Sequence, residues 1–238
     1  MNTMRSISLG LFVVLAGLGG CAGHDTPDYG VEQPLNLPGY RRQTWAVAPA
    51  VNLSGQKAVD PLIQADLLYM QLQQVAGLNV IPVNRVVDVY TALRVDQVKS
   101  ERQAQVMCEL LDCDAIVVAT VTAYDPFDPP KMGAALQLFR RGEQRLPPNV
   151  DPRDLVRQAA PTTQSVTPPP AGFVQAVGMF DAANGSTRID LLRYAAGRND
   201  PAGPLRERVY FVEMDKYAGF VYHSLISELL NKPALLDR

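Results

Sequence analysis

Residues 115–124 read AIVVATVTAY, and this stretch decides the fold. Its first five residues are all apolar, so the strand that they form must be buried on both of its faces. Residues 43–51, QTWAVAPAV, show the same continuous pattern, with Pro49 near the end of the strand. Strands of this kind lie at the centre of a sheet that helices cover on both sides. The two stretches therefore predict an α/β fold.

Capping patterns predict helices between these strands. Asp60 is a good N-cap, and Pro61 occupies the first position of a helix whose apolar residues recur at helical spacing. A short strand is expected at 79–83, and Asn84 is expected to cap the next helix. Residues 100–103, SERQ, have capping-box spacing and predict the start of a third helix. The first half of the chain is therefore expected to alternate strands and helices.

The second half of the chain is expected to pair strands more directly. Residues 125–130 form a Pro-rich turn after the buried strand, and alternation resumes at 132–139, so the two strands should pair around that turn. The further elements expected are strands at 173–180 and 208–214, a helix capped by Ser186 that buries Ile189, Leu192 and Ala195, and a final helix from Asp215. This order predicts a mixed sheet, part parallel and part antiparallel, flanked by helices.

The N-terminal residues have the pattern of a secretory leader. Residues 7–18 form an apolar run of twelve residues, which is shorter than the roughly 20 residues that cross a bilayer. Residues 18–21, LGGC, resemble the bacterial lipobox, in which the cysteine becomes the first mature residue and carries the lipid. We therefore expect residues 1–20 to be a lipoprotein signal peptide and Cys21 to carry acyl chains such as palmitate.

The expected anchor also sets the expected location. Residues 21–39 contain Pro and Gly without periodicity, which is typical of a flexible tether. In the lipoproteins that this leader resembles, an Asp after the lipidated cysteine favours retention in the inner membrane, and Ala22 stands there instead. We expect a protein held by lipid in the cell envelope, at the outer membrane and facing the periplasm.

Residues 40–238 are expected to form one α/β domain that carries a Pro-rich insertion at 141–172. Seven prolines lie between residues 146 and 170, and proline supplies no N–H to a strand ladder. We expect this insertion to hold at most a short helix near 154–159 and to contribute little to the core. It also lacks the long alternating segments of a membrane barrel, so a pore is not predicted.

Three segments in this order, behind a lipobox, resemble a known envelope module. They are AVAPAVNLS at 46–54, LNVIPVNR at 78–85 and ELLDCDAIVVATV at 109–121. The order is similar to that of the periplasmic α/β domain shared by the curli secretion lipoprotein CsgG, the penicillin-binding-protein activator LpoB and the amino-terminal domain of TolB. The resemblance implies a mixed sheet flanked by helices and a role in envelope assembly or secretion. Its curli members are the precedent for an oligomeric ring.

Composition and motifs narrow the function. The chain has 22 Lys and Arg against 24 Asp and Glu, a formal charge of −2, which argues against nucleic-acid binding through bulk charge. It holds no P-loop, dinucleotide-binding, zinc-protease or nucleophile-elbow motif, and we expect no cofactor and no bound metal. We therefore expect a non-enzymatic binding or accessory protein whose partners are the membrane and an unidentified envelope protein. The alternatives are a homo-oligomeric ring or secretion-complex subunit, and an enzyme that acts on envelope polymers.

Two groups of residues are candidate sites. Cys108 and Cys113 lie across the expected end of a helix and the start of the buried strand. An oxidising periplasm could join them in a disulfide, and the alternative is two small buried thiols. Arg140, Arg141 and Arg145 form a basic cluster, which either contacts a partner or an anionic polymer or lies in a solvated loop.

Three further residues could carry chemistry but are expected to be structural. His223 lies in the middle of the final helix and is expected to be packed or exposed rather than to act as a general base. Asp125 and Asp128 could hold a hard cation, but the prolines beside them favour turn capping.

Overall fold

The computed structural model describes residues 34–39, 41–98, 100–142, 151–158, 173–196, 198–199 and 202–236, with the side chains at 158 and 236 excepted. The expected signal peptide, Cys21, most of the expected tether and Arg145 lie outside the described residues. Within them, a mixed sheet lies between two layers of helices. This arrangement confirms the predicted fold class.

The elements of the first half of the chain follow the predicted order. The strands are β1 (Leu35–Asn36), β2 (Gln43–Val47), β3 (Val51–Asn52), β4 (Val75–Ala76), β5 (Leu78–Ile81), β6 (Ala115–Asp125), β7 (Lys131–Arg140) and β8 (Phe173–Asp181). The helices are α1 (Pro61–Leu72), α2 (Val83–Leu93), α3 (Glu101–Leu111), α4 (Pro152–Gln158), α5 (Gly185–Ala196), α6 (Val209–Val212), α7 (Met214–Leu230) and α8 (Pro233–Leu236), with a 3₁₀ turn at Arg206–Arg208 before α6.

The main sheet of the described residues has the strand order β5-β2-β6-β7-β8. β2 pairs in parallel with both β5 and β6, so that Trp45 lies between Val80 and Ala115. β6, β7 and β8 pair antiparallel as successive strands. β3 pairs in parallel with the second half of β6, beyond Pro49. The parallel half is therefore built through helical connections, which parallel pairing requires.

Two apolar clusters lie on opposite faces of the sheet, because successive side chains of a strand point to opposite sides. Val117 and Leu136 belong to the first cluster, which contains residues of α1, α5 and α7. Ile116 and Val118 belong to the second cluster, which contains residues of α2, α3 and α4. β6 is therefore covered on both faces along its first half, as its continuous apolar sequence predicts.

The short helix α4, inside the Pro-rich insertion, packs into the second cluster. Leu155 and Val156 are 4% and 2% exposed. Gln103 Nε2 donates a hydrogen bond to the carbonyl of Val156 at 3.3 Å, and Arg153 Nε donates to the carbonyl of Ala92 at 2.9 Å. The prediction that this stretch contributes little to the core is wrong for α4, because two adjacent apolar side chains fill the space over α2 and α3.

The predicted caps of α1 and α3 are present. Asp60 Oδ1 accepts hydrogen bonds from the N–H groups of Leu62 at 2.7 Å and Ile63 at 3.2 Å. Ser100 Oγ accepts from the N–H of Gln103 at 3.2 Å. The Gln103 side chain also donates to the carbonyl of Val156, so it links the start of α3 to α4.

Two predicted caps are each wrong by two residues. α2 begins at Val83, before Asn84, whose side chain accepts only from the N–H of the next residue. Asn184, rather than Ser186, caps α5, because its Oδ1 accepts from the N–H of Ser186 at 3.0 Å. The buried face of α5 therefore carries Leu191, Tyr194, Ala195 and Ala196, whereas Ile189 and Leu192 are exposed.

The strand predicted at 208–214 is a helix. The residues form the end of the 3₁₀ turn, α6 and the start of α7. Tyr210 and Phe211 are both buried, which a strand with one covered face would not allow for adjacent residues. A short apolar run does not distinguish a buried strand from a buried helix by periodicity alone.

β1 ties the end of the predicted tether to the α/β unit. Leu35 and Asn36 pair in parallel with Val75 and Ala76, and Leu37 is buried. The N–H of Leu37 also donates to the carbonyl of Ala76 at 3.0 Å. Among the described residues, no helix combines the length and the apolar character needed to cross a membrane.

Candidate binding groove

A groove of about 400 Å³ lies between α1, the end of α5, α6 and the start of α7. Its lining combines aromatic rings, amides and charges of both signs, which are the groups that orient a bound ligand. They come from parts of the chain that the fold brings together around the first apolar cluster. We call this surface the groove. The lining residues that carry the argument are Met70, Gln71, Gln74, Tyr194, Arg198, Tyr210, Glu213, Asp215 and Lys216.

The floor of the groove is fixed by a buried hydrogen bond. The Tyr194 hydroxyl donates to Gln71 Oε1 at 3.0 Å, and both side chains are buried. α7 approaches this pair closely at Gly219, where a Cβ atom would lie 3.3 Å from Gln71 Nε2 and 3.4 Å from the Tyr194 hydroxyl. Glycine at this position therefore leaves room for the polar floor.

Arg198 is held over the ring of Tyr194. Its guanidinium carbon lies 4.1 Å from the ring centroid, a cation–π geometry. Nη2 donates to Gln74 Oε1 at 3.2 Å, and Nη1 donates to the Tyr194 carbonyl at 3.4 Å. Nε is buried and has no hydrogen-bond partner among the described residues. The groove thus contains a cation whose position is set by its neighbours.

Tyr210 forms a second aromatic wall. Its ring meets that of Tyr194 edge to face, with centroids 5.7 Å apart, and Lys216 Nζ lies 5.9 Å from its centroid. Burial raises the pKa of Tyr210, the charge of Arg198 opposes that rise, and Glu213 adds to it. The phenol is therefore neutral at physiological pH and can act as a hydrogen-bond donor or an apolar face.

His223 packs against Tyr194, with ring centroids 5.0 Å apart. Its Nδ1 is buried and has no partner among the described residues. Burial, aided by the charge of Arg198, lowers the pKa of His223 to about 4. The imidazole is therefore neutral near pH 7, which agrees with the prediction of a packed histidine.

The predicted cysteine pair is brought together by the end of α3. The backbone of Asp112 is in the left-handed region, with φ 47°. The Cys113 N–H donates to the Cys108 carbonyl at 3.0 Å. The two side chains are buried free thiols that contact each other. That contact, together with burial, raises the pKa of Cys108. A disulfide between them stays a prediction.

Arg140 and Arg141, the described members of the predicted basic cluster, lie apart from the groove, at the end of β7. Arg141 forms ion pairs with Glu109 at 2.8 Å and Asp112 at 3.3 Å. Arg140 Nη1 donates to the carbonyl of Ala234 at 2.9 Å. Both guanidinium groups thus bind within the chain, and a partner contact at Arg140, Arg141 and Arg145 stays a prediction.

The structure supports turn capping for Asp125, whose Oδ1 accepts from the N–H of Phe127 at 3.2 Å. The described residues hold no group of three His, Cys, Asp or Glu side chains placed to bind a metal ion. A second hollow, of about 460 Å³, lies between β5, α2 and α3. Its lining is mainly aliphatic and includes two charged side chains, Arg85 and Asp88, so it offers fewer groups that could orient a ligand.

The sequence gives little sign of the groove. Gln71 lies on the apolar side of α1, seven residues after Gln64, which is also buried. Two polar residues on a buried helical face indicate internal hydrogen bonds, and this is the one signal that could have been used. Tyr194 and Arg198, one turn apart on and after α5, give no such signal without the tertiary structure.

No protein-family model and no curated protein matches the chain. Solved structures of other proteins are similar to it at low identity. A PelC dodecamer from Paraburkholderia phytofirmans is 10% identical with a TM-score of 0.38, over 82% of this chain and 94% of that one. The lipoprotein GNA1162 from Neisseria meningitidis is 15% identical with a TM-score of 0.37, over 80% and 99%. The hypothetical protein CT253 from Chlamydia trachomatis is 11% identical with a TM-score of 0.36, over 79% and 96%.

At these identities and TM-scores, the similarity places the chain in no family. The predicted resemblance to the CsgG, LpoB and TolB domain therefore stays a prediction.

Proposed function

We propose that this chain is a lipid-anchored accessory protein of the bacterial cell envelope that acts by binding, with the groove as its contact site. The observation that carries the proposal is the fixed position of Arg198, stacked on Tyr194 and held by Gln74. The proposed location is the periplasmic face of the outer membrane, and the proposed partner is another envelope component. Assembly or secretion at the envelope is the proposed process.

The geometry favours binding because the groove is already ordered. A ligand that meets a fixed Arg and two fixed Tyr rings does not have to restrict those side chains when it binds. Tyr and Arg are also the residue types that most often dominate binding energy in interfaces. The floor hydrogen bond between Tyr194 and Gln71 keeps the aromatic ring in place.

The groove also offers a direct test of binding. Met70 lines it and is 48% exposed, and Leu110, which lines the other hollow, is 47% exposed. Chemical cross-linking of the tagged full chain in intact envelopes should give a discrete adduct that Met70→Glu abolishes and Leu110→Glu keeps. Thermal melting of both variants shows that they are folded. An adduct pattern that neither substitution changes would contradict the groove as the contact site.

The anchor is a separate part of the proposal. Cys21→Ala should yield a chain without acyl mass, whereas the mature wild type should begin at residue 21 and carry the lipid. Intact-mass analysis of the protein from the membrane fraction measures this. A mature wild-type chain without acyl mass would overturn the anchor and leave the groove untouched.

A ring or secretion-complex subunit is the second candidate, and one observation favours it. Among the described residues, β8 pairs on one side only, with β7. Its Val177 and Met179 are 59% and 60% exposed, on the face of the sheet that carries the second apolar cluster. An edge strand with exposed apolar residues is a template for pairing with another chain. Light scattering of the lipidated chain in detergent should then show an oligomer that Met179→Lys dissociates and Leu53→Lys does not.

An enzyme acting on envelope polymers is the weakest candidate. Glu213 and Asp215 both line the groove, and paired carboxylates can hydrolyse glycosidic bonds. Both residues are exposed to solvent, however, whereas the general acid of such an enzyme is normally shielded so that it keeps its proton. Binding is therefore the better-supported proposal.

A further inference from the structure

One end of the groove continues into a smaller pocket of about 250 Å³ with a distinct charge. Its lining includes Arg198, Arg206 and Lys216, together with the ring of Tyr210. No described Asp or Glu lines it. Glu213 and Asp215 line the groove but not this smaller pocket. We call the smaller space the basic pocket.

The three cations of the basic pocket are not neutralised within the described part of the chain. The described ion pairs use other basic residues, such as Lys131 with Asp181 and Arg141 with Glu109. Arg198 binds only neutral oxygens and the face of Tyr194, and its Nε is buried without a partner in the described ranges. Arg198 is half-buried, whereas Arg206 and Lys216 are exposed, so the cost of a charge without a counter-ion falls mainly on Arg198.

The backbone at Arg206 is a second, independent observation. Its φ is 45°, in the left-handed region that residues with a Cβ seldom adopt. The other described non-glycine residues with positive φ, Arg94 and Asp112, are C-caps of α2 and α3, where that conformation is common. Arg206 instead begins a 3₁₀ turn at the edge of the basic pocket. Uncommon backbone conformations of this kind concentrate at ligand sites.

We infer that the basic pocket binds a phosphate group of an anionic ligand. This inference rests on the proposed function and names the ligand class of the same groove. Three monovalent cations match a phosphate, which carries up to two charges and several acceptor oxygens, better than they match a single carboxylate. Two of them are Arg, whose planar fork binds phosphate through paired hydrogen bonds.

The test measures phosphate binding by the full, lipidated chain in non-ionic detergent. Inorganic phosphate is titrated by calorimetry at constant ionic strength, with chloride as the compensating ion. The wild type should show saturable binding, and Arg206→Gln and Lys216→Gln should each weaken it about tenfold or more. Arg102→Gln removes the same charge from an exposed position on α3 and should leave the affinity unchanged.

Two results would overturn the inference. One is the absence of saturable phosphate binding by the wild type, and the other is an equal affinity of the wild type and both pocket variants. Thermal melting of each variant shows that a loss of binding is not a loss of fold.

A second arm identifies the source of the phosphate. The titration is repeated in micelles that contain phosphatidylglycerol. A lower apparent affinity for inorganic phosphate supports a lipid headgroup as the ligand, and an unchanged affinity supports a soluble phosphate compound.

The outcome is separable from that of the proposed function. Cross-linking that depends on Met70, without phosphate binding, removes only the inference about the basic pocket. Phosphate binding that depends on Arg206, without a Met70-dependent adduct, removes the proposed contact site and leaves the basic pocket as a site for a small ligand.

Discussion

The hydroxyl of Tyr222, on α7, donates a hydrogen bond to Oε1 of Gln64, on α1, at 2.8 Å inside the core. Seven residues further along α1, Gln71 accepts from Tyr194 of α5 in the same way. Residues seven apart lie on the same face of a helix, so α1 presents two buried amides to two tyrosines. These bonds fix how α1 packs against α5 and α7, and hence the shape of the groove.

Gln64→Leu should destabilise the protein because it leaves the buried Tyr222 hydroxyl without its acceptor. The expected loss is about 1–3 kcal/mol of unfolding free energy. Urea unfolding measures it. The double variant Gln64→Leu with Tyr222→Phe removes both partners and should lose less than the sum of the two single changes. Strictly additive losses would show that the two side chains do not interact.

His223 predicts a pH dependence of stability. Its pKa in the folded chain is about 4, against an ordinary value of 6.5. Between these values the unfolded chain binds the proton more readily, so the free energy of unfolding falls as the pH is lowered from about 6.5 to 4. The shift corresponds to about 3 kcal/mol at most.

The variant His223→Phe keeps an aromatic ring and cannot titrate. The difference in unfolding free energy between the wild type and this variant should therefore change across the same pH window and be constant above pH 7. Unfolding in denaturant at several pH values measures this difference. A difference independent of pH would mean that the imidazole is not shielded in the folded chain.

The packing of α4 indicates that part of the Pro-rich insertion stabilises the fold. Leu155→Ala should cost about 2–5 kcal/mol, because it leaves a cavity in the second apolar cluster. Leu53→Ala, at a side chain that is 66% exposed, is the matched control and should change stability by less than about 0.5 kcal/mol. Equal melting temperatures for the two variants would show that Leu155 of α4 is not part of the core.

We expect Cys108 and Cys113 to react slowly with alkylating reagents in the folded chain. Cys108 and Cys113 are buried, and the pKa of Cys108 is raised, so little thiolate is present to react. Alkylation followed by intact-mass analysis should label both residues only after denaturation. A chain that is 2 Da lighter and stays unlabelled after denaturation would instead show the disulfide.

The sequence predicts the elements whose local signals agree with the fold. β6 is recognisable from its continuous apolar run, and α1 from Asp60 and Pro61. The prediction of a strand over Tyr210 and Phe211 was wrong because a short apolar run fits either a strand or a helix. The tertiary packing between α5 and α7 decides between them, and no local pattern encodes it.

The groove could be predicted less well than the fold. Gln71 and Tyr194 are 123 positions apart, and the sequence around either residue does not predict their hydrogen bond. Arg198 resembles an ordinary surface arginine until its ring partner is known. The residues that the sequence does single out as basic, Arg140 and Arg141, bind within the chain. Basic residues that cluster along the sequence thus indicate local positive charge. Whether such a side chain is free to bind a ligand depends on which carboxylates the fold brings near it.

The central claim is that the groove is the contact site of an envelope binding protein, and site-specific photo-cross-linking tests it most directly. A photoreactive phenylalanine analogue replaces Met70 in one chain and Leu110 in another, two positions of nearly equal exposure on opposite faces of the sheet. Irradiation of intact envelopes should give a discrete adduct from position 70 only, and Arg198→Gln in the same chain should reduce it. Adducts of equal yield from both positions, or none from position 70, would contradict the claim.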